Sequence, residues 1–406
     1  MPDGINPQHI EEWMTHIRVL AEDIGPRGST TDAEQRAAEY AAQHFEQIGL
    51  EPCVEAFTSA TSSYLFFVIV GLFFVAAFAV YPLAGRASAA VALLIAAIGL
   101  YSVCMELSFR DNPVRLIQPK GKSQNVYARL EPTGEHRHDL ILVGHLDTNH
   151  AALIFRSPRW VDAWRVLASI FFFGFVAAFV IDAVGLVTQA TLIWPMLSLP
   201  GLLSGIGLAG FCLEGELAPF THGANDNATA AGLVLHLAQR LKAERLNHTR
   251  VWFVCTGCEE VKHYGAVDFF KRHRGELVSP RALVFEMLGR DGPGYLMKES
   301  TISLFAFRAS PEMVQIAQEV ARQHPELGAH PTQVDGGHTE MTDAIRYGVP
   351  AITLIGLDAG GTRWNYDGPE LYWHQKQDRV ENLLADVLER NYQFTWEFIQ
   401  TLDQTA

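Results

Sequence analysis

From Ala56 to Gly85 the chain carries no charged side chain. The centre of that run, YLFFVIVGLFFVAAFAVYPL at 64–83, has about the 20 residues needed to cross a hydrocarbon core. A second uncharged run, Ala87 to Met105, follows the turn at Ala84-Gly85-Arg86, so the pair predicts a helical hairpin whose ends return to the same side. The pattern then recurs. Val166 to Ile181 is apolar, and beyond Asp182 an uncharged stretch runs from Ala183 to Leu213, interrupted by Pro195 and Pro200. This predicts a second hairpin with a kinked last span. Buried helices of soluble proteins usually stop at about 10 to 14 apolar residues, so four transmembrane spans are expected, with Asp182 at the far turn of the second hairpin. Arg110, Arg115, Lys120, Lys122, Arg156, Arg159 and Arg165 flank the spans on the side of the remaining chain, against Arg86 alone at the far turns. That asymmetry predicts a cytoplasmic polar body on an integral membrane protein.

With 56–107 and 161–213 set aside as the two hairpins, segments 1–55, 108–160 and 214–406 join into one pattern of alternating strands and helices. Thr31-Asp32-Ala33-Glu34 is a capping box, followed by a helical stripe of Ala37, Tyr40, Ala41, His44, Phe45 and Ile48 that stops at Gly49. Strand-like runs are NVYARL at 125, DLILVG at 139, RVWFVC at 250, RALVFE at 281 and PAITLI at 350. Helical patterns fall at 228–243, 310–323, 338–347 and 378–401. Near-continuous apolar strands separated by helices predict an α/β fold, with a mostly parallel sheet flanked by helices and interrupted by the two membrane hairpins. Such a sheet carries its chemistry just past the carboxyl ends of its strands.

Composition sharpens this picture. The 406 residues include 31 Lys+Arg against 45 Asp+Glu, a formal charge of −14, which excludes a basic nucleic-acid binder. Hydrophobic residues reach 49% while charged residues are only 19%, in keeping with a chain partly in lipid. Five cysteines cannot all pair. No secretory leader precedes Met1-Pro2-Asp3, so a disulfide framework is not expected.

The polar residues of interest cluster at the predicted strand exits. DLILVG ends in Gly144-His145-Leu146-Asp147, where an extended exit points His145 and Asp147 the same way and lets the carboxylate orient the imidazole. Taken alone, H-x-D is commonly a satisfied surface pair. Asp226, in Gly223-Ala224-Asn225-Asp226-Asn227-Ala228-Thr229, precedes a helix, where an isolated Asp is commonly an N-cap. It equally offers one oxygen to each of two cations. RVWFVC runs into Thr256-Gly257-Cys258-Glu259-Glu260; if buried, two adjacent carboxylates resist joint ionisation unless cations compensate them. Cys255 and Cys258 form a lone C-x-x-C, weak evidence for redox or zinc chemistry. Glu286 closes an otherwise apolar strand, and His374 follows Tyr372-Trp373. Together His145, Asp226, Glu260, Glu286 and His374 form a nitrogen and oxygen donor set suited to zinc, which manganese or cobalt also fits.

The order H-x-D, G-A-x-D-N-A, E-E, F-E-M-L-G and aromatic-His-x-x-x-Asp along the whole polar body resembles the M28 family of zinc aminopeptidases and carboxypeptidases. The leading Gly25-Pro26-Arg27-Gly28 is similar too. The resemblance implies a zinc exopeptidase-like fold acting on a peptide substrate with two zinc ions. Asp226 would bridge them, His145 and Glu286 would complete one site, and Glu260 and His374 the other. It further implies Glu259 as general base and acid, Asp147 as the orienting carboxylate, and a cis Asp226–Asn227 peptide. The chain departs from the family where S-D-H commonly precedes a G-[IV]-P strand. Here Gly336-Gly337-His338 stands at a longer distance from Gly348-Val349-Pro350, which makes His338 an outer-shell candidate rather than a ligand.

The expected activity is that of a membrane-anchored aminopeptidase using a metal-activated water. Two alternatives stand beside it. Glutaminyl cyclases are similar to this family, use related ligands with a single zinc and share a Trp-His pair like Trp373-His374. The other is a non-catalytic membrane receptor on a peptidase fold. The hairpins enter after Phe57 and after the His145 loop, and are expected to hold the catalytic mouth near the bilayer.

Overall fold

Five of the apolar runs are strands in the computed structural model, which describes residues 7–188, 193–300, 306–361 and 370–405. They are β2 (Lys120–Leu130), β3 (His138–His145), β4 (Thr249–Thr256), β5 (Arg281–Glu286) and β9 (Ala351–Ile355), and β1 (Cys53–Ala60), β6 (Gly294–Ser300), β7 (Ala306–Arg308) and β8 (His330–Asp335) join them. The sheet order is β1-β2-β4-β3-β5-β9-β6-β7, with β8 also on β6. The expectation of a mostly parallel sheet needs correction, because the sheet is mixed. Parallel pairing joins β4 to β3, β3 to β5, β5 to β9 and β6 to β8, while β2–β4, β6–β9 and β6–β7 are antiparallel. The connection 287–293 between β5 and β6 contains no helix, and a parallel return needs a crossover of about a dozen residues or more. β6 therefore enters against β9 in the opposite sense. It escaped the apolar pattern because Lys298, Glu299 and Ser300 make up three of its seven residues.

The chain divides into two compact units, one of residues 1–59, 121–149 and 220–406, the other of 60–120 and 150–219. In the first, the helix Thr229–Ala243 packs on β3, β4 and β5 and is almost wholly buried. Helices Pro7–Arg18 and Asp32–Gln47 lie against it. Trp13, fully buried, donates its indole N–H to the Thr229 carbonyl at 2.8 Å, satisfying the one polar atom of a large apolar side chain. Helix Pro311–Gln323 packs on β6, β9 and helix Ala385–Gln404. Thr31 caps Asp32–Gln47 by accepting the Glu34 N–H, as the capping box predicts. The Glu34 carboxylate takes the N–H of Thr30 rather than that of the cap residue. The last helix begins at Ala385 rather than at 378, after a single 3-10 turn at Val380–Asn382.

The second unit is built from apolar helices. Ser63–Val80, Arg86–Leu107 and Pro158–Thr188 are each long and apolar enough to cross a membrane. The third runs unbroken through Asp182, which is buried inside it rather than placed at a turn. One acid does not interrupt helical hydrogen bonding, so the predicted break at Ile181 is absent. Of the expected fourth stretch, residues 189–192 lie outside the described residues, and the remainder forms a short turn Trp194–Leu197 and the helix Leu199–Leu217. Pro200 sits in the first turn of that helix, where its missing N–H costs nothing, and so starts it rather than kinking it. Helices Ser63–Val80 and Leu199–Leu217 meet backbone to backbone: a Cβ on Gly71 would come within 2.5 Å of the Gly205 carbonyl. Phe74 and Phe175 stack beside this contact with centroids 3.9 Å apart. Small residues line the crossing, and large apolar ones such as Leu72, Phe173 and Ile206 are exposed.

Candidate metal centre

β3 and β4 run side by side in register, with His145 opposite Thr256. Extending the β3–β5 register by two residues beyond Val143↔Val284 puts Glu286 opposite His145. Three predicted site segments thus leave the sheet from adjacent parallel strands. The His145 ring is buried, with Nδ1 3.1 Å from the Asp147 carbonyl oxygen and 3.4 Å from Asp147 Oδ1. That leaves Nε2 to face Asp226 Oδ1 at 3.4 Å, Glu286 Oε1 at 3.7 Å and Glu259 Oε2 at 3.8 Å.

Asp147 does more than orient the imidazole. Its carboxylate accepts the Ser29 hydroxyl at 2.6 Å and the backbone N–H groups of Glu259 and Glu260 at 3.0 and 3.1 Å. The acid of the H-x-D motif, two residues after His145, is thereby tied to the E-E turn. The Glu34 carboxylate braces the same turn from the other side, accepting the Cys258 N–H at 2.8 Å and the Ser123 hydroxyl at 2.9 Å. The turn closes on itself, with the N–H groups of Lys262 and His263 on the Glu259 carbonyl and that of Gly265 on the Gly257 carbonyl. Gly265 permits this closeness, since a Cβ there would lie 2.2 Å from the Gly257 oxygen and 2.5 Å from Asn125 Oδ1. Gly265→Ala is therefore expected to destabilise the protein by about 1–3 kcal/mol and to lower activity by displacing Glu259; thermal unfolding and turnover of the purified variant check this.

The Asp226 turn is stitched from both flanks. Asp378 accepts the N–H groups of Asn225 and Asp226 at 2.6 and 3.0 Å. The Asn227 side-chain amide donates to the Phe285 carbonyl and its oxygen accepts the Met287 N–H. The Asp226–Asn227 peptide is cis, as the resemblance implied. Held this way, Asp226 turns Oδ1 to His145 and Oδ2 to His374 Nε2 at 3.2 Å. His374 Nε2 is also 3.1 Å from Glu260 Oε2, which accepts a hydrogen bond from the Asn149 side chain at 2.8 Å. All seven predicted site residues converge. Donor atoms of His145, Asp226 and Glu286 form one group and those of Asp226, Glu260 and His374 another, each within 4.8 Å.

The electrostatics match a site awaiting cations. Burial alone would raise Asp226, but imidazoles on both of its oxygens pull it well below the usual carboxylate range. Burial lifts Glu286 well above its ordinary value and Glu260 to about 7. Against burial, the surrounding carboxylates carry His145 well up and His374 to about 10. So many acids in one buried place hold protons unless positive charge replaces them. Buried Glu260 Oε1 has no hydrogen-bond partner among the described residues, which suits an oxygen reserved for a metal. Two imidazole nitrogens with carboxylate oxygens around a shared bridge fit zinc.

Several residues join the site beyond the seven predicted. Arg27, fully buried, donates to the carbonyls of Leu20, Gly25, Leu146, His222 and Gly223. Asn149 and His263 join through contacts that only the fold creates, while Asp378, the acid of the aromatic-His-x-x-x-Asp motif, joins by holding the Asp226 turn. His338 lies half-buried with its ring edge-on to Phe307, centroids 5.5 Å apart, and belongs to neither donor group. Two residues on, Glu340 is buried, which pushes it up to about 8, and is near enough for the charges of His145, Glu259 and His263 to act on it. Cys255 is strand interior and Cys258 packs with Phe57 and Val261; burial raises both thiols. A separate His9, Glu12 and His236 group also brings donor atoms together. Burial lowers both of its imidazoles and the Arg240 cation adds to this, a poor setting for a divalent ion.

Residues 209–399 match the family model described as Peptidase family M28, a stretch that takes in Asp226, Glu259, Glu260, Glu286 and His374 but not His145 or Asp147. No curated protein matches the chain. Among solved structures, the chain is similar in fold to a glutaminyl cyclase of Tannerella forsythia, with TM-score 0.57 and 14% identity over 96% of this chain and 98% of that one. A leucine aminopeptidase precursor of Bacteroides thetaiotaomicron gives TM-score 0.56 and 12% identity over 96% of both chains. A zinc aminopeptidase of Bacillus subtilis gives TM-score 0.56 and 12% identity over 96% of this chain and 94% of that one. The likeness to these structures covers the fold, a mixed sheet flanked by helices, and the family match identifies residues 209–399 as a peptidase family M28 domain.

Proposed function

We propose that the chain is a membrane-anchored dinuclear zinc exopeptidase of the aminopeptidase type. The observation that carries this reading is Asp226, whose two oxygens face two different imidazoles, each with a further carboxylate beside it. His145 and Glu286 would hold one ion, Glu260 and His374 the other, and Asp226 both. Bound there, the ions would lower the pKa of a water and polarise the scissile carbonyl. Glu259 would accept the proton of that water and deliver it to the leaving amine. The surplus of buried carboxylates also favours a substrate that brings a free α-ammonium group. The three long apolar helices, with Leu199–Leu217 as a fourth span, would anchor the domain, and the seven-to-one distribution of flanking basic residues supports a cytoplasmic orientation.

A second reading, acyl transfer that cyclises an N-terminal glutamine, is favoured by Trp373, whose ring lies against His374 with centroids 4.8 Å apart. The full chain in lipid nanodiscs distinguishes the two. Two zinc ions per chain by elemental analysis with release of the N-terminal residue from short peptides is the expected result. Cyclisation of glutaminyl peptides without hydrolysis would replace it by the second reading, and metal-free protein inert to both would leave a receptor on a peptidase fold.

A further inference from the structure

The E-E turn brings a second imidazole to the side of Glu259 opposite the donor groups. His263 stands at the start of the helix Tyr264–His273 with φ of 56°, a left-handed backbone that few side chains adopt without a reason. Its Nε2 is 3.1 Å from Glu259 Oε1, and its Nδ1 is 2.7 Å from Asp343 Oδ2. Asp343 comes from the helix Met341–Arg346 and is itself completely buried. The ring, 4% exposed, thus bridges two carboxylates away from solvent. Burial would lower its pKa, but Glu259 and Asp343 carry it well above the ordinary imidazole value, and a carboxylate oxygen facing each ring nitrogen places both to donate. With Oε1 of Glu259 engaged by His263, its other oxygen, Oε2, is the one turned toward His145.

Resting on the peptidase reading above, we infer that His263, braced by Asp343, is a positioning residue that locks one oxygen of Glu259 and presents the other to the reacting water. A carboxylate free to rotate would spend much of its time with neither oxygen aligned for proton transfer, and misplacement by about 1 Å can cost a hundredfold in rate. Both residues are placed to act on the site through Glu259, so zinc content is expected to stay unchanged when they are replaced.

The test uses the full, zinc-loaded chain. His263→Ala is expected to lower kcat by about 10- to 100-fold with KM within about twofold and zinc content unchanged, and added imidazole is expected to restore part of the loss. Asp343→Asn is expected to give a smaller loss of the same kind. Unchanged kcat in folded, loaded His263→Ala, or a loss that appears in KM or zinc content and that imidazole does not repair, overturns the assignment. A readout independent of turnover separates this from failure of the peptidase reading. Ring-nitrogen NMR of His263 is expected to show both nitrogens protonated near neutral pH, and Glu259→Gln to move the Nε2 signal while leaving Nδ1 on Asp343. A His263 ring indifferent to Glu259→Gln overturns the contact even in a chain that hydrolyses no peptide, whereas a responsive ring in an inert chain sinks only the peptidase reading.

Discussion

Glu259→Gln is expected to keep its zinc and lose turnover by about a hundred- to ten-thousand-fold, the range for removing a general base. Gln has nearly the volume of Glu and can still face His263, so the turn held by Asp147 and Glu34 should survive. What disappears is the capacity to take a proton from water. The measurement is kcat together with zinc content and melting temperature on the same preparation. Hydrolysis near the wild-type rate would remove Glu259 from the base's role. Loss of zinc alongside loss of rate would instead make it a ligand, which its 3.8 Å approach to His145 Nε2 makes a meaningful outcome to look for.

Asp226→Ala is expected to empty both sites at once and reduce activity to background. Both groups assigned to the two ions contain Asp226, so its removal leaves each with two members, while the trio His145, Glu259 and Glu260, whose donor atoms also lie within 4.8 Å of one another, lacks Asp226 and stays whole; one retained ion would place it there. By contrast, Glu286→Ala and His374→Ala each strip one group. Zinc content should therefore fall to near zero in Asp226→Ala and to about one ion per chain in the other two. Binding to the folded state alone raises apparent stability, so a chelator should lower the melting temperature of the wild-type protein and leave Asp226→Ala unmoved. A chelator response in Asp226→Ala equal to that of the wild type would show that Asp226 is no ligand.

Most of the site was visible in the linear chain because its donors close strands. His145, Glu259-Glu260 and Glu286 each end or follow an apolar run bounded like a buried strand, and Asp226 stands just before a mostly apolar helix. What sequence periodicity does not show is lateral order. β6 and β8 carry too many polar residues to stand out, and the antiparallel edges follow from connection lengths rather than from strand composition. The same limit hides His263 and Asp343, which are 80 residues apart and acquire meaning only when the helix Met341–Arg346 is laid beside the E-E turn. Asp182 misled in the opposite direction. A lone acid in an apolar run looks like a boundary, but the helix shelters it and continues for another turn and a half.

Arg27 grips the Leu146 carbonyl on one side of the segment 150–219 and those of His222 and Gly223 on the other. Thr148 pairs with the Arg27 backbone and Thr221 with that of Asn149. The strand exit bearing His145 and the turn bearing Asp226 are consequently spliced together at a narrow neck, and whatever lies between them is topologically a loop. Closing a longer loop adds only about 0.6 kcal/mol per doubling of its length. The length of the excursion therefore weighs little on the joint that holds His145 and Asp226 together.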